Sequence, residues 1–150
     1  MKKFWIAMLI FTMQILVGCG ENSAEKNPPP KKIFDLSSAK DGTYTAESSR
    51  DEKLGKSILT LTIKDKKIID AQFTGYDLFG NEKGEDYGSL TGKDSADYKK
   101  AQVAVKAIKN YPQQLIETQD LYKVDAISGA IISYSQFVET SEKILSEATK

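Results

Sequence analysis

Ser57 to Ile63 alternates strictly: Leu59, Leu61 and Ile63 fall on one side, Thr60 and Thr62 on the other. That period of two marks a strand with one buried and one solvated face. Lys64-Asp65-Lys66-Lys67 is a short polar turn. Ile68 to Tyr76 then alternates again, with Ile69, Ala71 and Phe73 set against Asp70 and Gln72. Two such runs around a polar turn predict a β-hairpin. A hairpin with one apolar face must be covered, and the chain beyond it has helical periodicity. The expected class is therefore α+β, with an antiparallel sheet (the hairpin plus short strands) packed on one face by about three helices.

The flanking elements fit this frame. Asp41-Gly42 is a turn signal. Gly42 to Glu47 reads as a short strand, with Tyr44 and Ala46 on one face. Ser48 to Lys56 is a charged loop. Leu78 to Asp94 carries Gly80, Gly84, Gly88 and Gly92 with no apolar period, so it reads as a long loop of the kind that binds ligands or stays disordered. Its Lys83, Glu85 and Asp86 read as a solvated charge cluster, with ligand contact as the alternative. Ser95 to Asn110 is helical through Tyr98, Ala101, Val105 and Ile108, capped by Asp94 or Ser95. Tyr111-Pro112 should end it, and Gln113 to Gln119 should form a second short helix. A third runs from about Gly129 to Ala148, its stripe made by Tyr134, Phe137, Val138, Ser141, Ile144 and Leu145. Before it, Ser128-Gly129-Ala130 looks like a helix start with Ser128 as N-cap, a place where free N–H groups and a positive dipole end can hold a phosphate.

The first 18 residues have a different character. Lys2 and Lys3 precede a mainly apolar run from Phe4 to Val17, too short to span a bilayer comfortably. This is the pattern of a secretory signal peptide. Its end, Leu16-Val17-Gly18-Cys19, resembles a bacterial lipobox, which implies that Cys19 is lipidated and anchors the protein to the extracytoplasmic membrane face. Residues 19–40, with Pro28-Pro29-Pro30, read as a tether, and residues 41–150 as the folded domain. An apolar fragment such as Phe11 to Gly18 could also be released as a signalling peptide, and the sequence does not weigh that against disposal.

Composition excludes much chemistry. There is no His, and Cys19 is the sole Cys of the 150 residues. A Ser-His-Asp triad, a His-ligated metal or haem and a cysteine-ligated cluster are all ruled out. No metal ligands and no catalytic residues stand out. Arg50 is the only arginine, and no basic patch suggests nucleic acid. Any redox function must be carried by an organic cofactor.

Asp41-Gly42-Thr43-Tyr44-Thr45, the hairpin Leu59 to Asp70, and Val124-Asp125-Ala126-Ile127-Ser128-Gly129-Ala130 stand in an order and spacing that resemble the small FMN-binding domain. That family includes flavoprotein subunits of sodium-pumping quinone reductases and Rnf-type complexes. Single-domain lipoproteins of the major membrane immunogen type resemble this chain most, through Ser133-Tyr134-Ser135-Gln136-Phe137 as well. The resemblance spans roughly Asp41 to Ala148. It implies FMN as cofactor, electron transfer as activity, and a redox partner that nothing in the sequence identifies. Carried over residue by residue, it points to Asp125, Ser128, Gly129, Ala130, Ile131 and Tyr134 as cofactor contacts. Many family members carry Thr where this chain has Ile131, and esterify the flavin phosphate to its hydroxyl. Ile131 has none, so the expected binding is non-covalent. Ser133 does not take its place in this reading, since a residue two positions along a helix is rotated by about 200° around the axis. Tyr44, Tyr76, Phe79 and Tyr134 are candidates for a wall against the flavin ring. A different reading, a non-redox surface lipoprotein that keeps the fold without flavin, draws on Ile131 and Ile132 as residues that could fill the site.

Overall fold

The computed structural model of the chain describes residues 33–150. The signal segment, Cys19 and Pro28-Pro29-Pro30 lie outside the described residues. Three strands, β1 (Gly42–Glu47), β2 (Lys56–Lys64) and β3 (Lys67–Tyr76), form an antiparallel sheet in the order β1-β2-β3. Two helices, α1 (Ala96–Thr118) and α2 (Ile131–Ala148), pack on one face, α1 against β3 and α2 against β1 and β2. The class is α+β, as the sequence implies, with two long helices rather than three.

The hairpin forms as expected. Its two-residue turn places both Asp65 and Lys66 at positive φ, 49° and 62°, the type I′ geometry that matches strand twist. Leu59, Leu61 and Ile63 are buried and form the floor of the core. On the opposite face Thr43 pairs with Thr62 (3.2 Å) and Thr45 with Thr60 (3.0 Å), hydroxyl to hydroxyl, so that face is polar by construction.

One strand face differs from its alternation. Ile68, not Ile69, enters the core, and Ile69 is 52% exposed. Thr62 pairs with Asp70 but the next residue, Ile63, pairs with Ile68, so Ile69 is the extra residue of a β-bulge. A bulge resets which side chains face inward. Gln119 then acts as a backbone substitute at this edge. Its Oε1 accepts from the Ile68 N–H (2.8 Å) and its Nε2 donates to the Ile68 carbonyl (2.9 Å).

The second correction concerns Pro112, which does not break the helix. α1 runs unbroken through it, so the two helices expected on either side are one. Pro inside a helix costs roughly 3 kcal/mol. Ile108, Tyr111, Pro112 and Leu115 are all buried on a continuous stripe. Burying each large apolar side chain contributes about 1.5–3 kcal/mol, so the stripe outweighs the proline. Ser95 caps the helix by accepting from the Tyr98 N–H (3.1 Å).

The core is a single cluster in which Tyr111 and Phe137 are completely buried. Phe137 packs edge-on against Phe73 (5.1 Å between centroids), and Tyr111 lies between Phe137 and Tyr134. Packing begins before Asp41. Phe34 stacks on Tyr122, Ala39 is buried, and the Lys40 N–H donates to the Ala148 carbonyl (2.9 Å). No helix among the described residues is long and apolar enough to cross a membrane.

Candidate functional site

The stretch from Val124 to Tyr134 is fixed from behind by two tyrosines. The Tyr111 hydroxyl accepts from the Ile127 N–H (3.3 Å) and donates to the Ala130 carbonyl (3.4 Å). The Tyr134 hydroxyl donates to the Val124 carbonyl (3.1 Å). The Asp125 N–H donates to Gln114 Oε1 (2.9 Å), while its side chain is exposed. Ser128-Gly129 is a β-turn, closed by the Ala130 N–H on the Ile127 carbonyl (3.0 Å), with Gly129 at φ +85° in the third position. That conformation suits glycine and few other residues.

Ser128 does not cap the helix. Helix α2 begins at Ile131 with Ala130 at the N-cap position, and no side chain caps it. The turn takes Ser128 out of register, because the positive φ of Gly129 separates it from the first helical residue. The N–H groups of the first turn of α2 are thus left without a cap.

A cavity of about 850 Å³ opens in front of this turn. Its walls are the loop from Asp77 to Leu90, the first turns of α1 at Lys100, Ala101 and Ala104, and two residues at the start of α2, Gly129 and Ser133. Of the expected cofactor contacts only Gly129 lines it. Asp125, Ser128, Ala130, Ile131 and Tyr134 do not. Ile131 and Ile132 point outward, 55% and 39% exposed, so they do not fill the cavity. Ser133 lies on the other side of the helix, 5% exposed and in the cavity wall. The opposition of residues 131 and 133 is as helix geometry requires, and the cavity is on the Ser133 side.

The long loop is held in place. The Asp77 carboxylate accepts from the N–H groups of Phe79 (2.8 Å) and Asn81 (2.9 Å), closing a tight turn. Although partial burial opposes it, hydrogen bonds from Asn81, Phe79 and Gly80 keep the Asp77 carboxyl below the usual range. Tyr76 and Glu82 then pair as an isolated bridge, and the Lys83 N–H donates to the Gly75 carbonyl (2.8 Å). Further on, Gln102 Nε2 donates to the carbonyls of Glu85 (3.2 Å) and Tyr87 (3.1 Å), and the Tyr98 hydroxyl to that of Glu85 (2.8 Å).

Lys83 is the residue the sequence undervalued. Glu85 and Asp86 are exposed, as a solvated cluster should be, and Asp86 pairs with Lys93 (2.7 Å). Lys83 is only 6% exposed. Its Nζ makes no ion pair within 4.0 Å and no hydrogen bond among the described residues. Its aromatic neighbour is Tyr87, with Nζ 5.4 Å from the ring centroid. Burial pushes its ammonium below the ordinary lysine range, against the longer-range pull of Asp51 and Asp77. Burial likewise pushes the Tyr87 phenol up, helped by the charges of Asp77 and Asp51. Of the four expected ring-wall aromatics, Phe79 alone lines the cavity; Tyr87 joins it and had no periodic signal to reveal it.

No protein-family model matches the chain, and no curated protein matches it. Two solved structures are similar. One is the crystal structure of the CPE2226 protein from Clostridium perfringens, 28% identical over 73% of this chain and 88% of that one, with a TM-score of 0.58. The other is a solution NMR structure of a protein from Clostridium thermocellum, 24% identical over 74% of this chain and 93% of that one, with a TM-score of 0.43.

Proposed function

We propose that this protein is a membrane-anchored extracytoplasmic lipoprotein whose folded unit binds FMN non-covalently, in the cavity between the 77–90 loop and the start of α2, for electron transfer. The observation that carries this reading is the position of the cavity. Its wall includes Gly129 of the turn whose surrounding sequence resembles an FMN-binding motif, and its volume of about 850 Å³ suits a cofactor-sized ligand. The donor set fits the group. Lys83 and Ser133 in the cavity wall offer an ammonium and a hydroxyl to a phosphate. Tyr87, Phe79 and Leu90 offer apolar surface to a planar ring.

A bound flavin would supply the electron-accepting chemistry. The protein's part is to bind, orient and shield. Attachment is non-covalent in this reading, because Ile131 has no hydroxyl and lies outside the cavity wall. The contrasting idea, a fold whose site is filled by Ile131 and Ile132, loses its motive because both are exposed.

Titration of the purified protein into FMN tests the proposal. Saturable quenching of flavin fluorescence is the expected result. No quenching at high micromolar protein would remove the carrier reading.

A further inference from the structure

Helix α1 carries Lys99, Lys100, Lys106 and Lys109, and no Asp or Glu stands between Asp97 and Glu117. These lysines are exposed, and none forms an ion pair within 4.0 Å among the described residues. At about 100° per residue, Lys99, Lys106 and Lys109 fall within about 80° around the helix axis. Ile108 of the buried stripe lies on the opposite side. Lys100 turns toward the cavity and lines it. Val103 is four residues after Lys99 and three before Lys106, so it adjoins both on the helix surface. It also meets the Ser128-Gly129 turn: a Cβ at Gly129 would stand 3.3 Å from Val103 Cγ1. Ile131 and Ile132 follow that turn directly, 55% and 39% exposed.

Lysines alone would make an ordinary solvated helix face. Here that face continues onto two exposed branched apolar side chains. Exposed apolar groups beside unpaired cations suit an anionic lipid surface: the apolar groups enter the interface, and the lysine stems lie along it with their ammonium groups at the headgroups. Few carboxylates oppose this. Asp125 is the one acidic residue of the Val124–Tyr134 stretch, and Asp97 and Glu117 stand toward the two ends of α1, beyond the lysines. An acidic protein could meet the same charges, but the anchor proposed above keeps a bilayer within reach. The 14 residue steps from Cys19 to Ile33 can extend at most about 50 Å, enough for a face remote from the anchor to touch the membrane.

We propose that the outer side of α1 at Lys99, Val103, Lys106 and Lys109, together with Ile131 and Ile132, docks the folded unit onto an anionic lipid bilayer. Each lysine held near an anionic surface strengthens partitioning about fivefold, and salt screens that gain. The isoleucines add apolar burial that salt does not screen. The docking face does not depend on flavin binding; it rests on the membrane-anchored part of the proposed function for the nearness of the bilayer.

Lysine acetylation rates, read by mass spectrometry on the full chain with lipid vesicles, test this. On vesicles containing phosphatidylglycerol, Lys99, Lys106 and Lys109 should react at least about threefold more slowly than without vesicles. Lys64 and Lys67, exposed at the hairpin turn, should react at an unchanged rate. Vesicles of phosphatidylcholine alone, or the anionic vesicles in about 1 M salt, should give little protection. Replacing both Ile131→Ser and Ile132→Ser, at exposed positions, should weaken the protection of the three lysines. Equal rates with and without anionic vesicles, protection shared evenly by Lys64 and Lys67, the same protection by phosphatidylcholine alone, or a double variant that keeps full protection overturns the proposal. Protection by soluble polyglutamate but not by anionic vesicles also overturns it, and assigns the face to an acidic protein. Co-sedimentation with phosphatidylcholine vesicles reads the lipid anchor separately. An anchored chain whose three lysines stay reactive on anionic vesicles loses the docking face alone, and an unanchored chain whose lysines are protected loses the anchor alone.

Discussion

The Val124–Tyr134 stretch and the 77–90 loop face each other, and their polar groups are used in opposite ways. In the first, carbonyls and amides are taken up by Tyr111, Tyr134 and Gln114, so the segment is a structural latch on the core. In the second, the backbone is equally well tied, yet the mostly buried Lys83 lines a cavity without an ion pair among the described residues. A recognisable motif can therefore serve as scaffold while an aperiodic loop contributes a charged residue to the cavity wall. The turn contributes Gly129, and with it a close approach without a side chain.

The largest way to break this comparison is at the latch. Tyr111→Ala removes a completely buried ring with contacts to Tyr134 and Phe137, and should cost about 3–5 kcal/mol in urea unfolding. Tyr111→Phe keeps the ring and loses both backbone contacts. It should cost about 1–2 kcal/mol and speed amide exchange at Ile127. If Tyr111→Phe is silent in both readouts, the stretch is not latched as described.

Gly75→Ala is next. The new methyl group must displace Ile108 or the Lys83 stem, at a cost of about 1–3 kcal/mol, and should weaken FMN binding as well. An unchanged affinity would mean that the position of Lys83 does not matter to the ligand.

A pH comparison sharpens the loop side. Lys83 has a lowered pKa in the folded protein, so between that value and the unfolded lysine value the unfolded chain binds more protons. Stability from this group therefore rises with pH across that window. Tyr87 and Tyr111, whose phenols are pushed up, act in the opposite sense only above about pH 10. The melting temperature of Lys83→Met should accordingly exceed that of wild type near neutrality, by a margin that shrinks as pH climbs toward the unfolded lysine value of about 10.4. A margin independent of pH would show that Lys83 is not desolvated.

The smallest effect separates the two views of Ser128. As an N-cap its replacement by Ala would cost about 1 kcal/mol. Exposed in a turn and capping nothing, it should cost less than about 0.5 kcal/mol by the same unfolding assay.

The sheet and its covered face were legible because alternation over Leu59, Leu61 and Ile63 reports burial directly. The bulge at Ile69 was not, since its signal is a hydrogen-bond register and not a residue type. The continuity of α1 through Pro112 was hidden because a local penalty is visible in sequence and the tertiary burial that outweighs it is not. At the site, the sequence started the last helix at about Gly129 and gave Ser128 a capping role that the positive φ of Gly129 prevents. Lys83 in a mixed-charge loop looks like any solvated lysine. Its burial depends on Gly75, eight positions earlier and on another element, leaving room for its stem.

The central claim is that the ligand occupies the loop cavity and not the outer face of the Val124–Tyr134 stretch. Amide NMR of the labelled protein titrated with FMN tests this most directly. Saturable shifts should centre on Lys83, Tyr87, Gly129 and Ser133. Shifts confined to Asp125, Ser128 and Ile131, with Lys83 and Tyr87 unmoved, would contradict it.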